Sequence, residues 1–144
     1  MNNDIENILN KMKKYCAYEE KCIFDVMKKL YTYNISQNKK EKIINILENE
    51  DYINEKRYST AYCRGKFKIN NWGKLKIKSK LKTKNISETN INVGLSEIDD
   101  FEYLNIIDFL IEKKKSVDND TNKIVSYLTS KGYEYDMIWK RLNK

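Results

Sequence analysis

The chain has 144 residues, 40% apolar and 34% charged, with a formal net charge of +7 and no histidine. That apolar share is too large for a disordered chain. The length suits one domain or a short array of small units, burying roughly two-thirds of the unfolded surface. With no proline and only four glycines, an all-β sandwich, which needs frequent turn breakers, is excluded in favour of helices joined by short turns.

No window approaches the roughly 18 uninterrupted apolar residues of a membrane span. The opening MNNDIENILNKMKK lacks the apolar core of a signal peptide, so a cytoplasmic protein with no membrane association is expected. Cys16, Cys22 and Cys63 form no CxxC pair, and without histidine a zinc site would need a carboxylate ligand. The three cysteines read as reduced, buried, small apolar residues, and no metal or cofactor is expected.

Taken in chain order, helices are expected near 5–17, 19–33 and 36–50, then 54–69, 72–84 and 87–98, then 100–115, 119–131 and 134–143. The grouping in threes comes from an internal repeat. KLYTYNIS at 29–36 and KLKTKNIS at 80–87 agree at six of eight places, and a weaker copy, YLTSKGYE, stands at 127–134. An apolar pair spaced four apart leads into each copy: Val26 and Leu30, Ile77 and Leu81, Ile124 and Leu128. Asn34, Asn85 or Gly132 follows four residues later, and these residue types tolerate the left-handed conformation that closes a helix. Ser36 and Ser87 then suit the N-cap of the next helix, and Glu134 or Asp136 its positive end. The fold class is therefore all-α, an elongated and curved tandem array of three three-helix repeats spanning 1–53, 54–98 and 99–144. Lys40 falls where the other copies have Ile91 and Ile138. Either the third helix of the first unit shifts register or the lysine snorkels.

Charge is segregated. Residues 56–84 hold eleven cations and no Asp or Glu, leaving 17 of the 28 basic residues against 21 acidic ones elsewhere. The alternating run KLKIKSKLKTK has strand-like periodicity, but its repeat counterpart IFDVMKKLYTY does not alternate, so both are assigned to helices. On a helix, Lys74, Lys78 and Lys82 form one row and Lys76, Lys80 and Lys84 another, with Ile77 and Leu81 between them. Like charges four apart cost a few tenths of a kcal/mol each, so packing or an anionic partner must compensate. A block of one sign at this density is an electrostatic footprint for a polyanion.

Three stretches carry a resemblance: YCAYEEKCIFDVMKKL (15–30), DYINEKRYSTAYCRGKFKINNWGKLKIKSKLKTKNIS (51–87) and KIVSYLTSKGYEYDMIWKRL (123–142). They resemble the RecX regulatory proteins of bacteria, in the form found in Bacteroidetes-type bacteria. The central run, with Arg57, Tyr58, Ala61, Tyr62, Arg64, Lys66 and Trp72-Gly73 in order, is the most specific part. The resemblance implies a modular helical protein that is not an enzyme. Such a protein binds the RecA recombinase filament on DNA along its groove, as a monomer, and restrains strand exchange and filament growth in recombination, DNA repair and the SOS response.

The candidate filament-binding and nucleic-acid-binding residues are Arg57, Arg64, Lys66, Lys68, Trp72, Lys74, Lys76, Lys78, Lys80, Lys82 and Lys84. The cations reach phosphates of single- or double-stranded DNA by releasing counterions, without reading sequence. Tyr58, Tyr62 and Phe67 fall at core spacing, whereas Trp72 either packs or stacks on a base. No glycine-rich loop, histidine or nucleophile in context points to catalysis. Two other functions suit the same residues: a free-standing nucleic-acid-binding module without a recombinase, and an adaptor whose lysines meet an acidic protein surface.

Overall fold

The computed structural model describes residues 2–144, all of them in helices and the turns between. The first three helices are α1 (Asn2–Tyr18), α2 (Ile23–Leu30) and α3 (Gln37–Asn49); the next three are α4 (Glu55–Lys68), α5 (Lys74–Thr83) and α6 (Glu88–Ser96). The last three are α7 (Asp100–Lys115), α8 (Thr121–Ser130) and α9 (Tyr135–Leu142). The all-α array of three-helix repeats expected from the sequence is the fold observed, and the lysine run is a helix, not a strand. Among the described residues no helix is long and apolar enough to cross a membrane.

Local chemistry starts most of these helices. Ser36, Asn54, Ser87, Asp99 and Asp120 each accept a backbone N–H of the following first turn, satisfying donors that a helix start leaves unpaired. Asn85 and Gly132 close α5 and α8 in left-handed conformations, φ 61° and 99°. Asn34 does not adopt one. The first-unit helix α2 stops at Leu30, and its turn runs through Tyr33 N to Leu30 O and Ile35 N to Tyr33 O. The other two turns instead reach back five residues, Ile86 N to Leu81 O and Tyr133 N to Leu128 O. Helix α2 is correspondingly shorter than the 19–33 expected. Lys40 keeps the register of Ile91 and Ile138, with only 8% of its surface exposed. Its Nζ lies 3.8 Å from the centroid of the Tyr31 ring, so the ammonium meets an aromatic face where its stem is buried.

Two cores result. Ile8, Met12, Cys16, Val26, Leu30, Ile43, Leu47 and neighbours fill the first unit. A second, larger core runs without a break through the second and third units, from Tyr58 and Phe67 through Ile77, Leu81 and Ile91 to Tyr103, Leu128, Tyr133 and Ile138. Cys22 is the one first-unit residue among the buried members of that larger core. All three cysteines are buried, free thiols, and burial pushes each up to about 11. Helices α4 and α6 pack most closely where Gly94 faces Ser59 and Cys63.

Candidate nucleic-acid interface

The cationic block does not form one surface; tertiary structure divides it. Arg57 and Lys84 are drawn inward. The Arg57 Nε donates to Glu20 Oε2 at 2.7 Å, and its Nη1 donates to Asp51 Oδ2 at 3.0 Å. The Lys84 ammonium donates to Asp25 Oδ1 at 3.0 Å and to Tyr58 Oη at 2.9 Å. Burial alone would raise the Asp25 pKa, but the Lys84 hydrogen bond and the Cys22 backbone N–H hold its carboxyl below the usual value. These two cations therefore join the first unit to the second, a role their sequence positions do not disclose.

A second group lies along the outer side of α5. Lys78 and Lys82, with Leu75, Ser79 and Thr83, line a shallow groove. Lys74 stands 3.7 Å from Asp100 and Lys78 stands 3.8 Å from Glu88, both too long for strong pairs. Lys80 and Lys82 are exposed and have no carboxylate partner among the described ion pairs. Arg64 and Lys68 share a third region, a small cleft whose walls include Glu97, Asp99 and Glu102. Local acids moderate the charge there.

The fourth group gathers around Trp72. This ring is half-buried, packed against the large core, with Lys66 Nζ 4.9 Å and Lys76 Nζ 4.5 Å from its centroid. Lys66 also lies 5.5 Å from the Tyr62 ring. Trp72 both packs and presents a face. The third unit then extends the row: the Lys131 ammonium is 5.8 Å and the Lys114 ammonium 4.8 Å from the Tyr127 ring. The Lys131 ammonium donates to Asn70 O at 3.1 Å, and burial, with the like charges of Lys76 and Lys113, lowers its pKa. None of Lys66, Lys76, Lys114 or Lys131 is in an ion pair among the described residues.

Sequence reasoning missed Lys113, Lys114, Lys131 and Tyr127. The KKK run at 113–115 was the available signal, hidden because the third unit taken whole is not basic. Ammonium groups seated on aromatic faces without carboxylates suit a polyanion, whose phosphates replace their counterions.

The second unit is also where comparison with known proteins is sharpest. Residues 54–95 match the family model described as RecX, second three-helix domain. The crystal structure of RecX from Lactobacillus salivarius superposes with a TM-score of 0.86 at 29% identity, covering 99% of this chain and 97% of that one. The chain resembles RecX along nearly its whole length. Among curated RecX relatives, the "Regulatory protein RecX" of Clostridioides difficile (strain 630) is 27% identical over 124 residues, 82% of this chain and 58% of that protein. The Clostridium botulinum (strain Eklund 17B / Type B) protein of the same name is 31% identical over 105 residues, 67% of this chain and 49% of that protein. This chain spans about half the length of the curated RecX proteins it matches. A second RecX crystal structure, 20% identical with a TM-score of 0.85, shares the fold.

Proposed function

We propose that this chain is a non-enzymatic, monomeric, cytoplasmic regulator of the RecA recombinase. It lies along the groove of the RecA–DNA filament and restrains strand exchange and filament growth. We take its units as 1–53, 54–98 and 99–144, with DNA phosphates held by the face that crosses from the second unit to the third. The observation that carries this reading is the row Lys66, Trp72, Lys76 and Lys131, cations on a half-buried aromatic platform with no carboxylate to neutralise them. The outer lysines Lys78, Lys80 and Lys82 add a second line of phosphate contacts; Arg57 and Lys84 act through the joint they hold. Similarity to proteins named as RecX regulators supports the partner, and the charge supports its nucleic acid.

Purified protein should suppress RecA ATP hydrolysis on single-stranded DNA. The triple variant Lys66→Glu, Lys76→Glu, Lys131→Glu should lose that suppression and flatten the salt dependence of binding by about two in log–log slope. Unchanged suppression by the triple variant would overturn the site. The alternative, a nucleic-acid module that needs no recombinase, has the same cations in its favour. Equal affinity for naked and RecA-coated DNA at one salt concentration would establish it instead.

A further inference from the structure

We infer that the first three-helix unit swings as a body against a rigid block made of the second and third, about a joint held by side chains. The molecule contains its own comparison. The repeat offsets of 51 and 47 residues place Cys22 where the second unit has Gly73, and Asn85 where the third has Gly132. The same contact between neighbouring units is thus built twice from different residues.

Between the second and third units the contact is backbone on backbone. Gly73 N donates to Lys131 O at 2.7 Å, and Leu75 N donates to Gly132 O at 3.0 Å. Tyr133 Oη donates to Asn71 O at 2.8 Å, and Lys74 N donates to Tyr103 Oη at 2.9 Å. A Cβ on Gly73 would lie 2.3 Å from the Gly132 carbonyl carbon, so only glycine permits this approach. One apolar core runs beneath the contact. Sliding here would break directional hydrogen bonds and open a close-packed interior at once.

Between the first and second units, Cys22 carries the Cβ for which the glycine position has no room. Among the described residues no backbone–backbone hydrogen bond crosses this joint. The links come from side chains: Lys84 to Asp25, Arg57 to Glu20 and to Asp51, Asn54 to Asp51, and Glu55 Oε2, which accepts from Ile23 N at 2.9 Å. The two cores meet through Cys22. A cleft of about 450 Å³ lies between Phe24, Met27 and Tyr31 on one side and Glu55, Lys84 and Asn85 on the other. Ion pairs of this kind are partly exposed, individually weak, and screened by salt. Motion between the units therefore concentrates here. It sets the distance between the outer face of α2, where Phe24 stands beside Lys28 and Lys29, and the more densely cationic outer face of α5, which occupy equivalent places in the repeat.

The test is pulsed electron paramagnetic resonance on the full chain, with spin labels at exposed lysines. Lys42→Cys with Lys80→Cys spans the first joint, and Lys80→Cys with Lys140→Cys spans the second; the three native thiols are buried. The first pair should give a distance distribution about twofold broader than the second. Raising salt from about 0.01 M to about 1 M, which shortens the screening length from about 30 Å to about 3 Å, should broaden the first further and leave the second unchanged. Adding Lys84→Met should reproduce the salt effect at low salt. Equal widths for both pairs, or a first distribution indifferent to salt and to Lys84→Met, would overturn the inference.

Discussion

Asp25 shows how one residue can carry an interface. Its carboxylate accepts from Lys84 Nζ and from the Cys22 backbone N–H, and these contacts hold its pKa below the usual value against the opposing effect of burial. A carboxyl depressed in the folded state contributes stability above its unfolded pKa and loses it as pH falls through the folded one. Acidification below about pH 4 should therefore loosen the first joint. Glu55, raised by burial, moves the opposite way, since protonation relieves its desolvation. The variant Asp25→Asn separates the two. Its thermal midpoint should be lower than the parent's near neutral pH and should converge on the parent's in acid. A constant difference at every pH would count against the role given to Asp25. Lys40 illustrates the converse: a buried cation satisfied by the Tyr31 ring in place of a carboxylate.

At the scale of elements, α5 would be a poor helix alone. It carries five lysines, an N-cap glycine without a side-chain cap, and no acid in its first turn. Lys80 and Lys82 suit the C-terminal end of its dipole, but neither the N-terminal end nor the like-charge pairs are compensated locally. Burial of Ile77 and Leu81, and the stitching of its first turn to the third unit, hold it in place. The pairing of α4 with α6 depends on a glycine in the same way. A Cβ at Gly94 would meet Ser59 Oγ at 2.5 Å and Ser59 O at 2.8 Å, and since backbone cannot yield cheaply, Gly94→Ala should destabilise by about 1–3 kcal/mol. Gly65, in α4 itself, has nothing within 4 Å of its hypothetical Cβ, so Gly65→Ala should stabilise by about 0.5–1 kcal/mol. Urea denaturation of the two variants checks both signs together.

For the whole molecule, two cores and one loosely held joint imply two unfolding units rather than one. The protein's two tryptophans, Trp72 and Trp139, both belong to the larger core's surroundings, whereas helix content is spread over the entire chain. Far-ultraviolet circular dichroism should begin to fall at lower denaturant than tryptophan fluorescence, by the share of helix in the first unit. Coincident curves would mean that the two cores melt as one. The same division bears on binding. The Trp72 face lies wholly on the second and third units, so its spacing of cations is preset, while the inferred motion lets the first unit bring a different surface, of mixed charge, to a distance that varies.

Local rules of the chain determined the helices, their grouping in threes and the segregation of charge. Capping residues, left-handed stops at Asn85 and Gly132, and apolar spacing act over a few positions, and a repeat makes such signals legible more than once. Tertiary structure alone decided which cations remain free. Arg57 finds Glu20 across 37 residues and Lys84 finds Asp25 across 59, whereas Lys131 is brought beside Lys76 by two glycines that let backbones touch. Charge neutralisation is a matter of distance in space, which the order of residues along a chain does not record, and so the cationic block became a joint, a groove, a cleft and a platform.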